Sequence, residues 1–468
     1  MRTLLATLLM LPLVAVGACQ PGGEPGPGSP LTPSSGSASG YYHVTLDTSA
    51  LGRGADEVEA ASLGGIAMLL PQVIDADTVQ LMVQGGPHDE PLELVVHGDG
   101  WEERVADAFV YDPPRDPLFD HVMSFGASLT QGVNNGTPTF ENGLYSPSLQ
   151  LARVMGAWVP QPLLKPGLFP SMAPESVGPP PECEASSASD FIVASIPSVA
   201  EQMQPPGGGV IRYEYGRLDP HIPHGNIGAG NFHLTDAVRP PVNDFGDGLV
   251  PTMLGHLAYE PFADFGEPLT MSAIDIIEQE QPTFVFSTDF YGNDCIDGIE
   301  NLTPLDEFEP DMEELLRRLA DTGAVVFLSE MPDTNILPEN RDRPEEEQAI
   351  VWERVQQYNA ILHAEADKHD NVYVVPTVDR VAQVHEEGYV VGGETLTTDM
   401  LGGLISLDGL HYTATGYALV ASMFALSINE QIGGDVLLPD AEAVLAADPN
   451  SPAALAAAGL DPAACADE

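Results

Sequence analysis

Strand-length apolar runs alternate with helical segments over much of this chain, and this alternation constrains its fold more than any other feature. Predicted strands cover 121–125, 283–288, 324–329 and 371–375, and apolar residues at helical spacing cover 271–279, 310–321 and 344–369. Alternation of this kind predicts an α/β fold with a parallel sheet covered by helices on both faces. Functional groups in such a sheet belong at the carboxyl ends of the strands.

Three other regions have a different character. The runs 41–46, 78–83 and 92–96 are β-rich and separated by Gly, Asp and Pro turns, which predicts a small β-rich region over 40–116. Within the α/β part, 117–432, the stretch from about 158 to 270 is rich in Pro and Gly and is predicted to be an insertion over the functional site. The acidic, Ala-rich stretch 433–468 is broken by prolines and has the composition of a peripheral tail.

The N-terminus has the pattern of an export signal. Arg2 precedes an apolar stretch over 4–16, and small residues follow up to Cys19, which predicts a signal peptide over 1–18. The segment 16–19, Val-Gly-Ala-Cys, resembles the bacterial lipobox, a resemblance that implies a lipid anchor on Cys19 and, with Gln20, an outer-membrane or cell-surface lipoprotein. An ordinary cleaved signal with a chance cysteine is the alternative. Residues 19–39, mostly Pro, Gly and Ser, are predicted to be a disordered linker.

The charge of the chain excludes some partners. Seventy acidic residues against 16 basic ones give a formal net charge of -54, which argues against binding to nucleic acid or to anionic membrane surfaces. After Cys19, three cysteines remain, enough for one disulfide and one free thiol in an exported protein. Cys295 can pair with either Cys183 or Cys465, and the sequence does not choose between them.

Residues suited to nucleophilic catalysis occur in three separate places. Ser128, in the segment Phe-Gly-Ala-Ser-Leu-Thr, follows a strand where the chain is predicted to turn into a helix. Far downstream, Asp408 and His411 stand three residues apart, and Asn293 follows another predicted strand. A serine needs an imidazole to take its proton, and the imidazole works best when a carboxylate orients it. Backbone N–H groups or an Asn amide can then stabilise an oxyanion.

These segments resemble those of the SGNH, or GDSL, hydrolase superfamily, over about 119–432. The resemblance implies a three-layer α/β/α, flavodoxin-like domain in which Ser128, His411 and Asp408 form a catalytic triad. The Ser128 N–H, Gly230 and Asn293 would form the oxyanion hole. It also implies an ester substrate, lipid or acylated small molecule or sugar, and no metal or organic cofactor. Ala127 departs from the family pattern, which has an aspartate beside the serine.

Two functional alternatives remain open at this level. A surface binding protein that has lost activity on the same fold fits the pattern, as does a carbohydrate acetylesterase. The apolar residues of the insertion either receive an acyl chain or belong to the core; they are Leu163, Leu164, Leu168, Phe169 and Met172.

Two groups of candidate metal ligands have weak patterns. His221, His224 and His233 match no compact zinc spacing. Asp294, Asp297 and Glu300 lack the glycine-centred loop of an EF-hand, so a solvated surface is the better interpretation.

Overall fold

The computed structural model describes residues 28–174, 177, 188–204, 215–219, 225–241, 257, 269–296 and 298–460. The signal peptide, Cys19, Cys183 and Cys465 lie outside these residues, so the predictions about lipidation and the disulfide partner stay predictions. Within the described residues, no helix combines the length and apolar character needed to cross a membrane.

The N-terminal region is a twisted sheet of eight strands in the order β1-β3-β6-β5-β4-β7-β8-β2. Neighbouring strands are antiparallel except for β2 and β8. The strands are β1 Leu31–Thr32, β2 Ser35–Ser37, β3 Tyr42–Asp47, β4 Ala60–Leu63, β5 Ile66–Val73, β6 Thr78–Val83, β7 Leu92–Gly98 and β8 Trp101–Asp112. The predicted β-rich region is confirmed.

The start of this region corrects the predicted linker boundary. Residues 28–39 are not a disordered linker, because β1 and β2 are hydrogen-bonded into the sheet. Leu31 and Ala38 are also buried in its core. Pairing with strands distant in sequence, which composition does not reveal, orders this Pro- and Ser-rich stretch.

The second sheet consists of five parallel strands in the order β10-β9-β11-β12-β13. This is the 2-1-3-4-5 order of flavodoxin-like folds. Its strands are β9 Val122–Gly126, β10 Asn226–Gly228, β11 Phe284–Ser287, β12 Val325–Ser329 and β13 Val372–Val375. The four strands predicted from the sequence are confirmed to within about two residues at each end. A separate hairpin pairs β14 Tyr389–Val391 with β15 Glu394–Leu396.

Edge strand β10 corrects the interpretation of 158–270 as a simple insertion. Asn226, Ile227 and Gly228 pair in register with β9, so this Gly-rich stretch belongs to the central sheet. Three residues are too few to give a recognisable strand pattern in a Gly- and Asn-rich sequence.

Helices connect the strands and cover the sheet. They are α1 Ser128–Gln131, α2 Phe140–Gly143, α3 Pro147–Met155, α4 Ala188–Gln202, α5 Leu234–Val238, α6 Ala273–Glu280, α7 Leu305–Asp321, α8 Pro338–Arg341, α9 Glu345–Ala366, α10 Thr377–Glu387, α11 Ala414–Ile432, α12 Ala441–Ala447 and α13 Pro452–Ala457. Thr413 caps α11 by accepting a hydrogen bond from the Gly416 N–H, which fixes the helix start three residues after His411.

Alternate residues of the central strands point into two different cores. Phe284 and Phe286 of β11 pack with α3 and α11, whereas Val285 packs on the opposite face with α7 and α9. Because both faces are buried, the strands are continuous apolar runs rather than alternating ones. The helices on the two faces produce the predicted three-layer arrangement.

The candidate acyl-binding residues of the insertion are buried in the core. Leu163 packs with the α3 and α11 core, Leu164, Leu168 and Phe169 pack against α4, and Met172 contacts a cluster containing Leu407. None of the five lines the cavity described below.

Candidate active site

A cleft at the carboxyl ends of β9, β11 and β12 contains Ser128, Asn293 and His411 together. It encloses about 770 Å³ of space, part of it open to solvent. The chain therefore brings side chains 283 positions apart in sequence to one end of the sheet, where ligand sites of open α/β folds lie.

Ser128 lies in the tight turn between β9 and α1. The preceding Gly126 has φ +148, and a Cβ there would lie 2.4 Å from the Thr130 hydroxyl and 2.5 Å from a carboxylate oxygen of Asp289. Only glycine fits this position without a shift of those groups. The close turn leaves Ser128 partly exposed at the first position of α1, facing the cleft.

Asp289, which was not predicted from the sequence, organises this turn. Its carboxylate accepts hydrogen bonds from the N–H groups of Ala127 (2.9 Å), Leu129 (2.6 Å) and Thr130 (3.2 Å). The Thr130 hydroxyl also donates to it, at 2.7 Å. The Ser128 N–H, between these donors, has no hydrogen-bond partner among the described residues. The N–H of the serine therefore remains available to an oxyanion while those around it are engaged.

Asp289 has a raised pKa. Burial disfavours the charged carboxylate, and this effect exceeds the opposing effect of its hydrogen bonds from Thr130, Ala127 and Leu129. The position of Asp289, two residues after the end of β11, is a signal that a search for polar residues at strand ends would have found.

Asp408 and His411 form a buried hydrogen-bonded pair. The His411 Nδ1 atom lies 2.8 Å from Asp408 Oδ2, and Asp408 is fully buried. An ionised carboxylate only accepts hydrogen bonds, so Nδ1 carries the proton and Nε2 is left to act as a base. The backbone N–H groups of Leu410 and His411 donate to the other carboxylate oxygen, at 2.9 and 2.8 Å, and the Gly136 N–H donates to Oδ2 at 2.6 Å.

Within this pair, the pKa of Asp408 is lowered and the pKa of His411 is raised, so both residues favour their charged forms. Burial alone would raise the pKa of Asp408, but the charge and hydrogen bonds of His411 lower it below its ordinary value. Burial alone would lower the pKa of His411, but Asp408 raises it above its ordinary value, with smaller effects from Glu339 and Asp289. His411 is thereby a stronger base than a free imidazole.

Ser128 and His411 line the same cleft without a direct hydrogen bond between Ser128 Oγ and His411 Nε2 in the described structure. Hydrogen bonds between nucleophile and base are often long in the absence of substrate. The arrangement supplies a nucleophilic hydroxyl, a basic imidazole and a buried carboxylate behind it.

Of the predicted oxyanion donors, Asn293 reaches the cleft. One N–H of its amide donates to the Phe232 carbonyl at 2.7 Å, which orients the group and leaves the second N–H for a ligand. The N–H of Gly230 instead donates to the Gln131 side chain at 3.0 Å, and Gly230 is not among the residues lining the cleft. The role assigned to Gly230 stays a prediction that would require this hydrogen bond to break.

The remainder of the cleft is largely apolar. Aliphatic residues from α10, α11 and the connecting segments line it, namely Ile296, Met331, Ile336, Leu337, Val381, Leu410, Val420 and Met423. Glu330 and Asp333 also line it, and no Lys or Arg is among its described lining residues. These surroundings favour an uncharged, apolar ligand group over an anionic one.

The structure corrects the interpretation of Asp294 as a solvated surface residue. Its side chain is 1% exposed, and it accepts hydrogen bonds from the Leu234 N–H at 2.9 Å and the Thr303 hydroxyl at 2.5 Å. It thus anchors the loop that carries Asn293. Asp297, His221 and His224 lie outside the described residues, and no cluster of metal ligands occurs among those described.

Comparison with known families agrees with this geometry. Residues 267–424 match the model of a family described as GDSL-like lipase/acylhydrolase. The matched segment includes Asn293, Asp408 and His411 and lies entirely downstream of Ser128. No curated protein matches the chain. The match supports the resemblance to SGNH/GDSL hydrolases and hydrolysis of esters in general.

Proposed function

We propose that the protein is an exported, lipid-anchored carboxylic ester hydrolase that acts through an acyl-enzyme on Ser128. The observation that carries this proposal is the shared cleft of Ser128, Asn293 and His411, with Asp408 hydrogen-bonded behind His411. The family match over 267–424 supports the ester-hydrolase part. Export and the anchor on Cys19 rest on the lipobox resemblance at 16–19 alone.

In the proposed acylation, His411 Nε2 takes the Ser128 hydroxyl proton as Oγ attacks the ester carbonyl carbon. The oxyanion that forms accepts hydrogen bonds from the Ser128 N–H and the free N–H of Asn293. Asp408 stabilises the imidazolium. The tetrahedral intermediate then collapses, and His411 gives its proton to the departing alkoxide.

Deacylation repeats these steps with water as the nucleophile. His411 takes a proton from the water as it attacks the acyl carbonyl, and returns a proton to Ser128 Oγ when the carboxylic acid leaves. None of these steps requires a metal or an organic cofactor.

The apolar side of the cleft provides a site for the acyl chain. Each methylene transferred from water to such surroundings contributes about 0.8 kcal/mol. The specificity constant kcat/KM is therefore expected to rise roughly fourfold per methylene from acetyl upward until the cleft is filled. A series of p-nitrophenyl esters from acetate to dodecanoate measures this, and a strong preference for acetylated sugars would contradict it.

Labelling with a fluorophosphonate probe tests the enzyme proposal. We expect the wild-type protein to be labelled and Ser128→Ala to be unlabelled. The matched control is Ser329→Ala, which removes another hydroxyl lining the same cleft and should leave labelling intact. A wild-type protein that fails to label from neutral to alkaline pH would favour the inactive binding protein instead.

A further inference from the structure

The C-terminal stretch 433–460 has the composition of a surface appendage, yet two of its polar residues are almost fully buried. Asp448 and Asn450, between α12 and α13, are each 2% exposed. Leu445 before them packs into the core formed with α11, and Leu455 after them packs against Leu407. The two leucines fix this short segment against the part of the protein that carries Asp408 and His411.

Asn450 makes a reciprocal pair of hydrogen bonds with a distant loop. Its Nδ2 donates to the Asn134 side-chain oxygen at 3.0 Å, and its Oδ1 accepts from Asn135 Nδ2 at 3.2 Å. Asn135 has φ +52, in the left-handed region. A non-glycine residue keeps that conformation when the surrounding structure holds it. Asn450 is one of the groups that hold it.

The loop held by Asn450 contacts the backbone around Asp408. The Asn135 N–H donates to Ser406 Oγ, and its side-chain oxygen accepts from the Leu407 N–H, both at 3.0 Å. The next residue, Gly136, donates its N–H to Asp408 itself. Asn450 is thus connected to Asp408, the carboxylate that contacts His411, by its hydrogen bond with Asn135 and by the hydrogen bond from the adjacent Gly136.

Asp448 contacts the segment that follows His411 in the chain. One of its carboxylate oxygens accepts hydrogen bonds from the N–H and the hydroxyl of Thr415, both at 2.8 Å. Thr415 lies in the first turn of α11, where a carboxylate is favoured by the free N–H groups and the helix dipole. Asp448 therefore fixes the start of the helix that follows His411.

We propose that Asp448 and Asn450 are positioning residues that hold the Asp408–His411 pair in its working geometry. The catalytic consequence rests on the ester-hydrolase function proposed above, whereas the effect on the pair itself does not. The tail is accordingly part of the functional unit, although it lies outside the segment that matches the family.

The test compares Asn450→Ala with Asn429→Ala in the full chain. Asn429, near the end of α11, makes an equivalent pair of hydrogen bonds with the tail, to the N–H and the carbonyl of Val436, both at 2.8 Å. Asn450→Ala should lower kcat for p-nitrophenyl butyrate about tenfold, because a small displacement of a catalytic group is enough for that. KM should change less than about twofold. Asn429→Ala should keep kcat.

NMR titration of the His411 ring provides a second readout that does not depend on activity. In Asn450→Ala, the pKa of His411 should fall toward 6.5, the ordinary value for histidine, because its contact with Asp408 is loosened. Asn450→Asp, which keeps an acceptor for Asn135 but loses the donor to Asn134, should show a smaller change. If Asn450→Ala does not fold, the His411 pKa of Asn450→Asp tests the positioning role.

The outcomes separate the two proposals. A wild-type protein without esterase activity refutes the proposed function, while the NMR titration still decides whether the tail positions the pair. Wild-type kcat and an unchanged His411 pKa in both Asn450 variants would overturn the positioning role and leave Asn450 a structural residue only.

Discussion

Two buried carboxylates, Asp408 and Asp289, flank the cleft, and their pKa values shift in opposite directions. Both are nearly inaccessible to water, and each accepts three hydrogen bonds from backbone N–H groups. Asp408 also contacts the His411 ring, which can carry a positive charge, whereas the donors to Asp289 are neutral. Desolvation raises the pKa of both carboxylates. The neutral donors around Asp289 offset only part of this effect, whereas the His411 ring, which becomes cationic, more than offsets it for Asp408.

In the proposed mechanism, this difference gives the two carboxylates different partners. Asp408 is suited to stabilise the imidazolium formed when His411 takes a proton. Asp289 contacts the turn around Ser128 and leaves the Ser128 N–H unengaged. In the proposed mechanism, Asp408 would thus prepare the base, and Asp289 would position the nucleophile and its oxyanion donor.

The largest effect is expected for Asp408→Asn. Because an amide cannot stabilise the imidazolium and can select the wrong tautomer of His411, kcat should fall by about 10³ to 10⁴, with little change in KM. The acidic limb of the kcat/KM profile should also move to lower pH, since Asp408 raises the pKa of His411. Steady-state kinetics over a range of pH measures both effects.

Asp311→Asn is the matched control for this substitution. Asp311 is also buried, but it pairs with Arg239 beside α7 and does not line the cleft. Asp408→Asn activity within tenfold of the wild type would remove Asp408 from the proposed triad and weaken the contrast with Asp289.

A smaller effect on catalysis, together with a loss of stability, is expected for Asp289→Asn. The amide has one acceptor oxygen where the carboxylate has two, so at least one of the three N–H groups in the Ser128 turn loses its partner. Leaving a buried donor unsatisfied should lower the free energy of unfolding by about 1–3 kcal/mol. A displaced Ser128 should lower kcat by about 10- to 100-fold. Urea unfolding and kinetics measure the two changes.

Asp289→Glu helps to interpret this result. It keeps the charge but moves the carboxylate by one methylene, so it should impair kcat if the position of the oxygens matters. Full activity in Asp289→Asn with normal stability would show that the turn holds Ser128 without the carboxylate.

The sequence predicted those parts of the fold and site that have local patterns. Four strands of the central sheet are continuous apolar runs because both faces are buried, and their boundaries were predicted closely. Ser128, Asn293 and the Asp408–His411 pair lie after strands or in a short motif. The structure places Ser128, Asn293 and His411 around one cleft, with Asp408 hydrogen-bonded behind His411.

Features formed by contacts distant in sequence were not predictable in this way. Asp289 occupies the space that Gly126 leaves open at the turn before Ser128. This relation becomes visible only when β9 and β11 pair. Asn450 contacts a loop 316 positions away. The composition of the tail predicts a peripheral segment, which is wrong for the part around Asn450. The burial of that part depends on Leu445 and Leu455 and not on the average polarity of the tail.

The smallest expected effect concerns how the free energy of unfolding changes with pH. The contributions of Asp408 and Asp289 to this change should have opposite signs. The pKa of Asp408 is lowered on folding, so its contribution to stability is present above about 3.8, the ordinary value, and is lost as pH falls through the folded-state pKa. The pKa of Asp289 is raised, so the folded state binds its proton more tightly. Its contribution therefore declines as pH rises from the ordinary value through the folded-state pKa.

Urea unfolding of the wild type, Asp408→Asn and Asp289→Asn at acidic pH values spanning 3.8 tests this. His411 stays protonated in both the folded and unfolded states at these pH values, so it does not contribute to the slope. With rising pH, the stability of the wild type should increase relative to Asp408→Asn and decrease relative to Asp289→Asn. If both stability differences change with pH in the same direction, both pKa values shift the same way on folding. The surroundings of the two carboxylates would then differ less than their hydrogen-bond partners indicate.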